Sequence, residues 1–281
     1  MKKAISMLLI AATLFTCLLT FAGCGEAQVK VIDIPLSSEK YAFCVNNADT
    51  ELKDQVNAFL AEIMENGKFD EICENYFGEG TPLKVTSAEK DATKDQLVVA
   101  TSTGFEPFEM KDANNKYSGI DMEIAYYLAQ ELGKELVIDD MDFDGVVTAV
   151  EQGRADIAMA GLTITAAREA VVTFTDSYYD ASQVLIVKAD DTTFDACEKT
   201  EDVEAILATM AGKKFGCQKG TTGYYYIVGD MEGFGFPGLS GVECKDYTFG
   251  ALAITAMIDG NVDYVILDNA PAKAIADKMN G

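Results

Sequence analysis

The chain has 281 residues, 49% of them hydrophobic, with 46 acidic against 22 basic side chains for a formal charge of −24. That length allows one large domain or two of ordinary size, and the hydrophobic share excludes wholesale disorder. The charge argues against nucleic acid or an anionic membrane surface as partner, and the absence of histidine removes the usual general base and the commonest zinc ligand.

Residues 1–23 carry a basic start, an apolar run and a small-residue stop, the pattern of an export signal that takes no part in the fold. The apolar run is also just long enough to span a membrane as an uncleaved anchor. "FAGC" resembles a bacterial lipobox, with Phe21 where such boxes usually carry Leu. The resemblance implies that Cys24 is lipidated and becomes the mature N-terminus, with 24–28 as a tether. Either reading places the protein outside the cytoplasm and holds it to a membrane. Cys17 falls in the signal, and Cys44, Cys73, Cys197, Cys217 and Cys244 remain. No CxxC occurs among them and their number is odd, so plain buried thiols are expected and no metal or redox motif.

In "ELKDQVNAFLAEIMENGKFDEICENYFG", Leu52, Val56, Phe59, Leu60 and Ile63 recur at helical spacing. Residues 80–94, "GTPLKVTSAEKDATK", lack periodicity and read as a linker. Strand and helix then alternate: "LVVAT", "SGIDMEIAYYLAQELGK", "LVIDDM", "GVVTAVEQG", "ADIAMAG". This βαβ order predicts an α/β fold with a mostly parallel, doubly wound sheet, whose ligand site lies beyond the C-terminal strand ends.

The pattern recurs. "TAVEQGRADIAMAG" (148–161) aligns with "TAMIDGNVDYVILD" (255–268), and "VVATSTG" (98–104) with "FGCQKGTTG" (215–223). Two similar α/β lobes with facing strand ends would enclose a cleft. Chance likeness of common αβ units is the alternative.

Several residues fall at those strand ends. Thr165 is a good helix N-cap, which puts Arg168 in the first turn among free N–H groups, an arrangement for a carboxylate or phosphate. An exposed Arg paired to a nearby Glu reads equally well. Gly220 and Gly223 bracket Thr221 and Thr222 at a strand-to-helix turn, which is either an anion-binding turn or a simple loop. Asp268 ends the second repeat strand where the first has Gly161. It faces the same cleft as Arg168 or caps the next helix, and Asn269 is the other capping candidate. A cation on one lobe and an acid on the other suit a zwitterion. Phe105, Phe108 and Phe143 lie near strand ends, as ligand clamps or as core.

Taken together, "VVATSTGFEPFEM", "GIDMEIAYYLAQELG", "MDFDGVVTAVEQGRADIAMAGLTITAARE", "GKKFGCQKGTTG" and "MIDGNVDYVILDNAPA" resemble the polar amino acid solute-binding proteins of ABC importers, over nearly all of 95–281. The resemblance implies two α/β lobes joined by a two-strand hinge, the type 2 periplasmic binding protein fold, closing on an amino acid. It implies that Arg168 grips the α-carboxylate with the Thr163 amide and the Thr221–Thr222 turn. Asp268, with the Gly161 carbonyl and Thr163, would hold the α-ammonium, and Leu162 lies between these two. Phe105 and Phe143 would sandwich the side chain. Ser102 stands where members selecting Lys or Arg commonly place an acid, and Gln218 borders the other side, so a neutral, polar amino acid is expected.

The family ordinarily ends in an edge strand, a return hinge and a helix closing on a motif like "NGTYDEIYEKYFG". Here those parts come first, in "VKVIDIPLSSEKYAFCVNNADTELKDQVNAFLAEIMENGKFDEICENYFG". The order reads as a circular permutation, with 40–79 and 95–180 in lobe 1, 29–37 and 183–281 in lobe 2, and 80–94 joining the old ends. Hinge strands are expected near Ser38–Tyr41 and Asp180–Ser182, and the tether is expected on lobe 2. A monomeric binding protein without cofactor, delivering to a membrane permease, is the function implied. Two other readings remain. One is a periplasmic dehydratase of prephenate-like acids, for which Glu106 is the candidate acid. The other is an amino-acid sensor module.

Overall fold

A computed structural model describes residues 28–229 and 235–281. The export signal and Cys24 lie outside the described residues. In chain order the elements are β1 (Val29–Ile32), β2 (Glu39–Tyr41), β3 (Cys44–Asn46), α1 (Thr50–Glu65), α2 (Lys68–Phe77), β4 (Gln96–Thr101), β5 (Met110–Lys111), β6 (Tyr117–Ser118), α3 (Ile120–Glu131), β7 (Glu135–Asp140), α4 (Phe143–Glu151) and β8 (Ile157–Ala158). They continue with α5 (Ala166–Glu169), β9 (Val172–Phe174), β10 (Tyr179–Ala181), β11 (Gln183–Lys188), α6 (Thr200–Leu207), β12 (Lys214–Gln218), α7 (Thr222–Val228), β13 (Glu243–Tyr247), α8 (Gly250–Ile258), β14 (Tyr264–Asp268) and α9 (Asn269–Asn280).

Two five-stranded sheets result, ordered β7-β4-β8-β3-β9 in lobe 1 and β13-β12-β14-β11-β1 in lobe 2. Position for position they are alike. The centre pairs β4 with β7 and β8, and β12 with β13 and β14, all parallel. Then β3 and β11 run antiparallel to β8 and β14, and the edges β9 and β1 run antiparallel to β3 and β11. The expectation of a mostly parallel sheet is corrected to a mixed one. The antiparallel strands are those entering from the other lobe, and their direction is set by the crossing.

Alternate residues of β4 reach opposite faces of the lobe 1 sheet. Leu97 and Val99 join Val56, Phe59, Leu60, Ile124 and Leu128 of α1 and α3, and Val98 and Ala100 join Val146, Ala149 and Val150 of α4. Lobe 2 repeats this with α6 and α7 on one face and α8 and α9 on the other. Burying apolar surface on both faces is what selects continuous hydrophobic strands here.

Helix α1 starts on a cap, with Leu52 N donating to Asp49 Oδ1 at 3.0 Å, and it buries the apolar stripe expected of it. The Tyr76 hydroxyl of α2 receives Gly119 N at 2.8 Å and donates to Glu123 Oε1 at 2.7 Å, which ties the "ENYFG" segment to α3. Gly119 has φ +131, and a Cβ there would lie 2.0 Å from Phe108 O, so only glycine admits this approach. The aperiodic stretch 80–94 is pinned rather than loose. Val85 is buried and exchanges both backbone bonds with Tyr117 at 2.8 and 2.9 Å, and Ala88 N reaches Leu136 O at 2.8 Å. A few backbone anchors leave no periodic trace in the sequence.

The lobes are joined by β2 and β10, which pair antiparallel with Tyr41 opposite Tyr179 and Glu39 opposite Ala181. Among the described residues no helix is long and apolar enough to cross a membrane.

Candidate functional site

The strand ends of both lobes face each other across the hinge. Phe105, Phe143, Gly161, Thr163, Arg168, Thr221, Thr222 and Asp268 line one small cavity there. Lobe 1 supplies Phe105 from the turn after β4, Phe143 from the start of α4, and Gly161, Thr163 and Arg168 from the segment after β8. Lobe 2 supplies Thr221 and Thr222 from the start of α7 and Asp268 from the end of β14.

Arg168 sits in α5, a single turn capped by Thr165, whose Oγ1 accepts from Arg168 N at 3.1 Å. So short a helix has little dipole to oppose the cation, and direct bonds hold the side chain. The guanidinium donates from Nη1 to Thr163 O at 2.7 Å and from Nη2 across the cleft to Gly220 O at 3.3 Å, and lies 5.3 Å from the Phe143 ring centre. Burial pulls its pKa below the usual value, while Glu39 and Asp268 are among the groups opposing that fall. Arginine stays charged throughout.

Asp268 is 3% exposed. It stands at the N-cap position of α9 but its side chain caps nothing; Oδ1 accepts the Tyr41 hydroxyl at 2.5 Å. Asn269 does not cap either, since its Nδ2 donates to Asp33 Oδ1 at 3.1 Å. Burial lifts the Asp268 pKa to about 7, the Glu39 carboxylate adds to the rise, and the bonds from Tyr41 and Gln183 oppose it.

Other predicted residues fall outside the cavity lining. Ser102 is buried, and its Oγ has no hydrogen-bond partner among the described residues. Leu162 lies in the lobe 1 core, its carbonyl accepting Ala42 N at 3.0 Å. Gln218 is buried with its carbonyl taken by Thr221 Oγ1 at 2.8 Å. Phe108 is core, edge-on to Tyr41 at 5.2 Å. Glu106, the candidate acid of the dehydratase reading, is engaged across the lobes by Lys278.

The sequence reading missed the hinge's part in the site. Glu39 is 3% exposed in β2. Its Oε2 accepts Thr163 Oγ1 at 2.8 Å, Thr222 Oγ1 at 2.7 Å and Gln183 Nε2 at 3.4 Å, and its Oε1 accepts Ser37 Oγ at 2.5 Å. In "SEKYA", Glu39 and Tyr41 alternate with Lys40, so an acid shares a strand face with a buried tyrosine. That alternation was the available signal. The lobes also meet through Lys219 Nζ and Asp144 Oδ2 at 2.6 Å.

A half-buried cation and a buried carboxylate on opposite lobes, with hydroxyl groups between, can hold the two charged ends of one small zwitterion. Comparison with known proteins agrees in kind. The sequence profile of the bacterial extracellular solute-binding proteins, family 3, matches residues 97–231. An arginine-binding extracellular protein of Bacillus subtilis, ArtP, is 36% identical over 100 residues, covering 36% of this chain and 39% of that protein, so the chain spans about two fifths of that relative. The holo arginine-binding protein of T. maritima superposes with TM-score 0.55 at 33% identity, covering 66% of this chain and 74% of that one. An ancestral arginine-binding protein bound to glutamine gives TM-score 0.55 at 32% identity, covering 66% and 74%.

Proposed function

Because the chain belongs to the bacterial extracellular solute-binding proteins, family 3, we propose that it captures one α-amino acid between its lobes and delivers it to a membrane permease of the ABC type. The observation that carries this reading is the placement of Arg168 and Asp268 on opposite lobes of one cavity. In the proposal, Arg168 takes the α-carboxylate with backbone N–H groups at Thr163 and at the Thr221–Thr222 turn. Asp268 takes the α-ammonium, and Phe105 and Phe143 flank the side chain. Lobe closure then joins the two halves of the site, which is how such a ligand shifts an open–closed equilibrium.

For the side chain, the proposal is a neutral, polar group. Ser102 and Gln218 are the buried polar residues nearest the lining in sequence, and neither carries charge. A cationic side chain is the second reading, favoured by the arginine-binding relatives. The proposed setting is extracytoplasmic, with a lipid on Cys24 tethering lobe 2. Support for the lobe comes from Val29–Ile32, which pairs with β11.

A thermal-shift screen of purified protein over the twenty amino acids tests the reading. A ligand at a hundred times its Kd adds about 2.7 kcal/mol of stability. Glutamine or another neutral polar amino acid is expected to give the largest shift, and arginine or lysine alone would replace this assignment with the cationic one. Arg168→Ala and Asp268→Ala should each weaken binding by about 2–5 kcal/mol. A shift retained in either variant removes the role assigned to that residue.

A further inference from the structure

Glu39 occupies an unusual position. It belongs to the hinge, yet one of its oxygens accepts a hydroxyl from each lobe, Thr163 at 2.8 Å and Thr222 at 2.7 Å. Both threonines line the cavity. A carboxylate has lone pairs and no proton to give, so each hydroxyl must spend its only hydrogen on Glu39. What each hydroxyl can then offer a ligand is a lone pair. Thr222 uses one of its two lone pairs on Gln183 Nε2 at 2.8 Å and keeps the other. Tyr41 donates to Asp268 in the same way, and that carboxylate keeps lone pairs beyond those that Tyr41 and Gln183 use.

We infer that Glu39 is a positioning residue that sets the polarity of this end of the cavity, turning the Thr163 and Thr222 hydroxyls into acceptors so that, with Asp268, they receive an ammonium group and refuse a neutral acceptor or an anion. The inference rests on the amino-acid reading above and adds what selects the α-ammonium. It also divides the work of the threonines: their hydroxyls serve the ammonium, and only their backbone N–H groups are available to the carboxylate. Because Thr163 is carried by lobe 1 and Thr222 by lobe 2, both acceptors are aligned only when the lobes are together. The ammonium subsite is therefore completed by closure.

The test compares two ligands by calorimetry: the amino acid giving the largest thermal shift, and its α-deamino analogue, which keeps the carboxylate and side chain. Wild-type protein should prefer the amino acid by about a hundredfold or more, the range for a buried charged hydrogen bond. Glu39→Met removes the acceptor, frees both hydroxyl hydrogens, and should cut that preference at least tenfold while leaving the analogue's affinity within about threefold. Glu39→Gln keeps one acceptor oxygen for the two hydroxyls and should restore most of the preference. Loss in Glu39→Gln equal to that in Glu39→Met would overturn the inference in favour of simple charge attraction. Equal weakening of both ligands would reduce Glu39 to a structural part. If Glu39→Met fails to fold, Thr163→Val and Thr222→Val carry the test, since each should weaken the amino acid and spare the analogue; weakening of both ligands in each would overturn it. No binding of any amino acid to wild-type protein would instead refute the amino-acid reading, and this inference with it.

Discussion

Gly161 has φ +53, and a Cβ there would lie 2.6 Å from Phe105 Cε1. Its N–H donates to Asp121 Oδ2 at 2.9 Å, a buried acid that also accepts the Tyr178 hydroxyl at 2.6 Å. Gly161→Ala should therefore cost about 1–2 kcal/mol from the left-handed backbone alone. It should also displace the Phe105 ring, so chemical denaturation should show lost stability and calorimetry weaker binding. Asp268 and Asp121 share a second property: burial raises the pKa of each to about 7. A carboxyl whose folded pKa exceeds its unfolded value of 3.8 stabilises the fold below that value, and the contribution is lost as pH rises through about 7. Ligand-free protein should be more stable at pH 5 than at pH 7.5, each group adding a slope of at most about 1.4 kcal/mol per pH unit. An ammonium ligand draws Asp268 to the ionised form. Binding at pH 6 should release close to one proton, read from the dependence of the binding enthalpy on buffer ionisation, and almost none at pH 8.5. The groups facing Asp268 are Tyr41 and Glu39 of the hinge, with Arg168 and Glu109 from lobe 1. Asp268→Asn should abolish the release at pH 6; a release that persists would assign the proton elsewhere.

The elements show which parts of this molecule were legible in its sequence. Helices α1, α3 and α4 and strands β4 and β7 follow from periodicity, because each buries a stripe or a face whose spacing is the element's own. The repeats at 148–161 and 255–268 fall on α4–β8 and α8–β14, which occupy equivalent places in the two sheets. Arg168 and Asp268 were legible for the same reason, as the chemistry that follows a repeated strand. Glu39 and Tyr41 were not. They reach the cavity through pairing with β10, about 140 residues away, and through a bridge from Tyr41 to Thr163. No local window contains those partners. In the one-turn α5, Arg168 is held by its expected cap, Thr165, and by the Thr163 carbonyl, a partner that the local pattern did not indicate. Thr165→Ala should remove about 1 kcal/mol. Because the lost bond fixes the turn that aims Arg168, ligand affinity should fall by roughly fivefold as well. Unchanged affinity alongside lower stability would show that the cap supports the fold without aiming the side chain.

At the scale of the whole molecule the chain crosses between lobes twice, and the crossings mirror each other. From edge strand β9 of lobe 1 the chain passes through β10 into β11 of lobe 2; from edge strand β1 of lobe 2 it passes through β2 into β3 of lobe 1. Each lobe thus receives its antiparallel strand from the other, which makes the hinge a symmetric pair rather than a single tether. That symmetry leaves the order of segments free. Gln28 N donates to Asn280 Oδ1 at 2.8 Å, and Asn280 Nδ2 donates to Val29 O at 2.9 Å, so the start of β1 and the end of α9 are already held together. The stretch 80–94, by contrast, joins α2 to β4 along the surface of lobe 1 by a few backbone bonds. If 28–79 is the closing part of a two-lobed fold placed first, a chain cut within 89–94 and joined from Gly281 to Gln28 by a short flexible linker should adopt the same structure. Every strand pairing and both hinge strands survive that rearrangement, and only the entropy of one loop is exchanged for another, a cost that grows slowly with length. The rearranged protein should melt within a few degrees of the original and bind the same amino acid with a Kd within about threefold. Failure to fold would mean that 80–94 does more than connect, and the Val85–Tyr117 bonds and the buried Val85 would be the place to look.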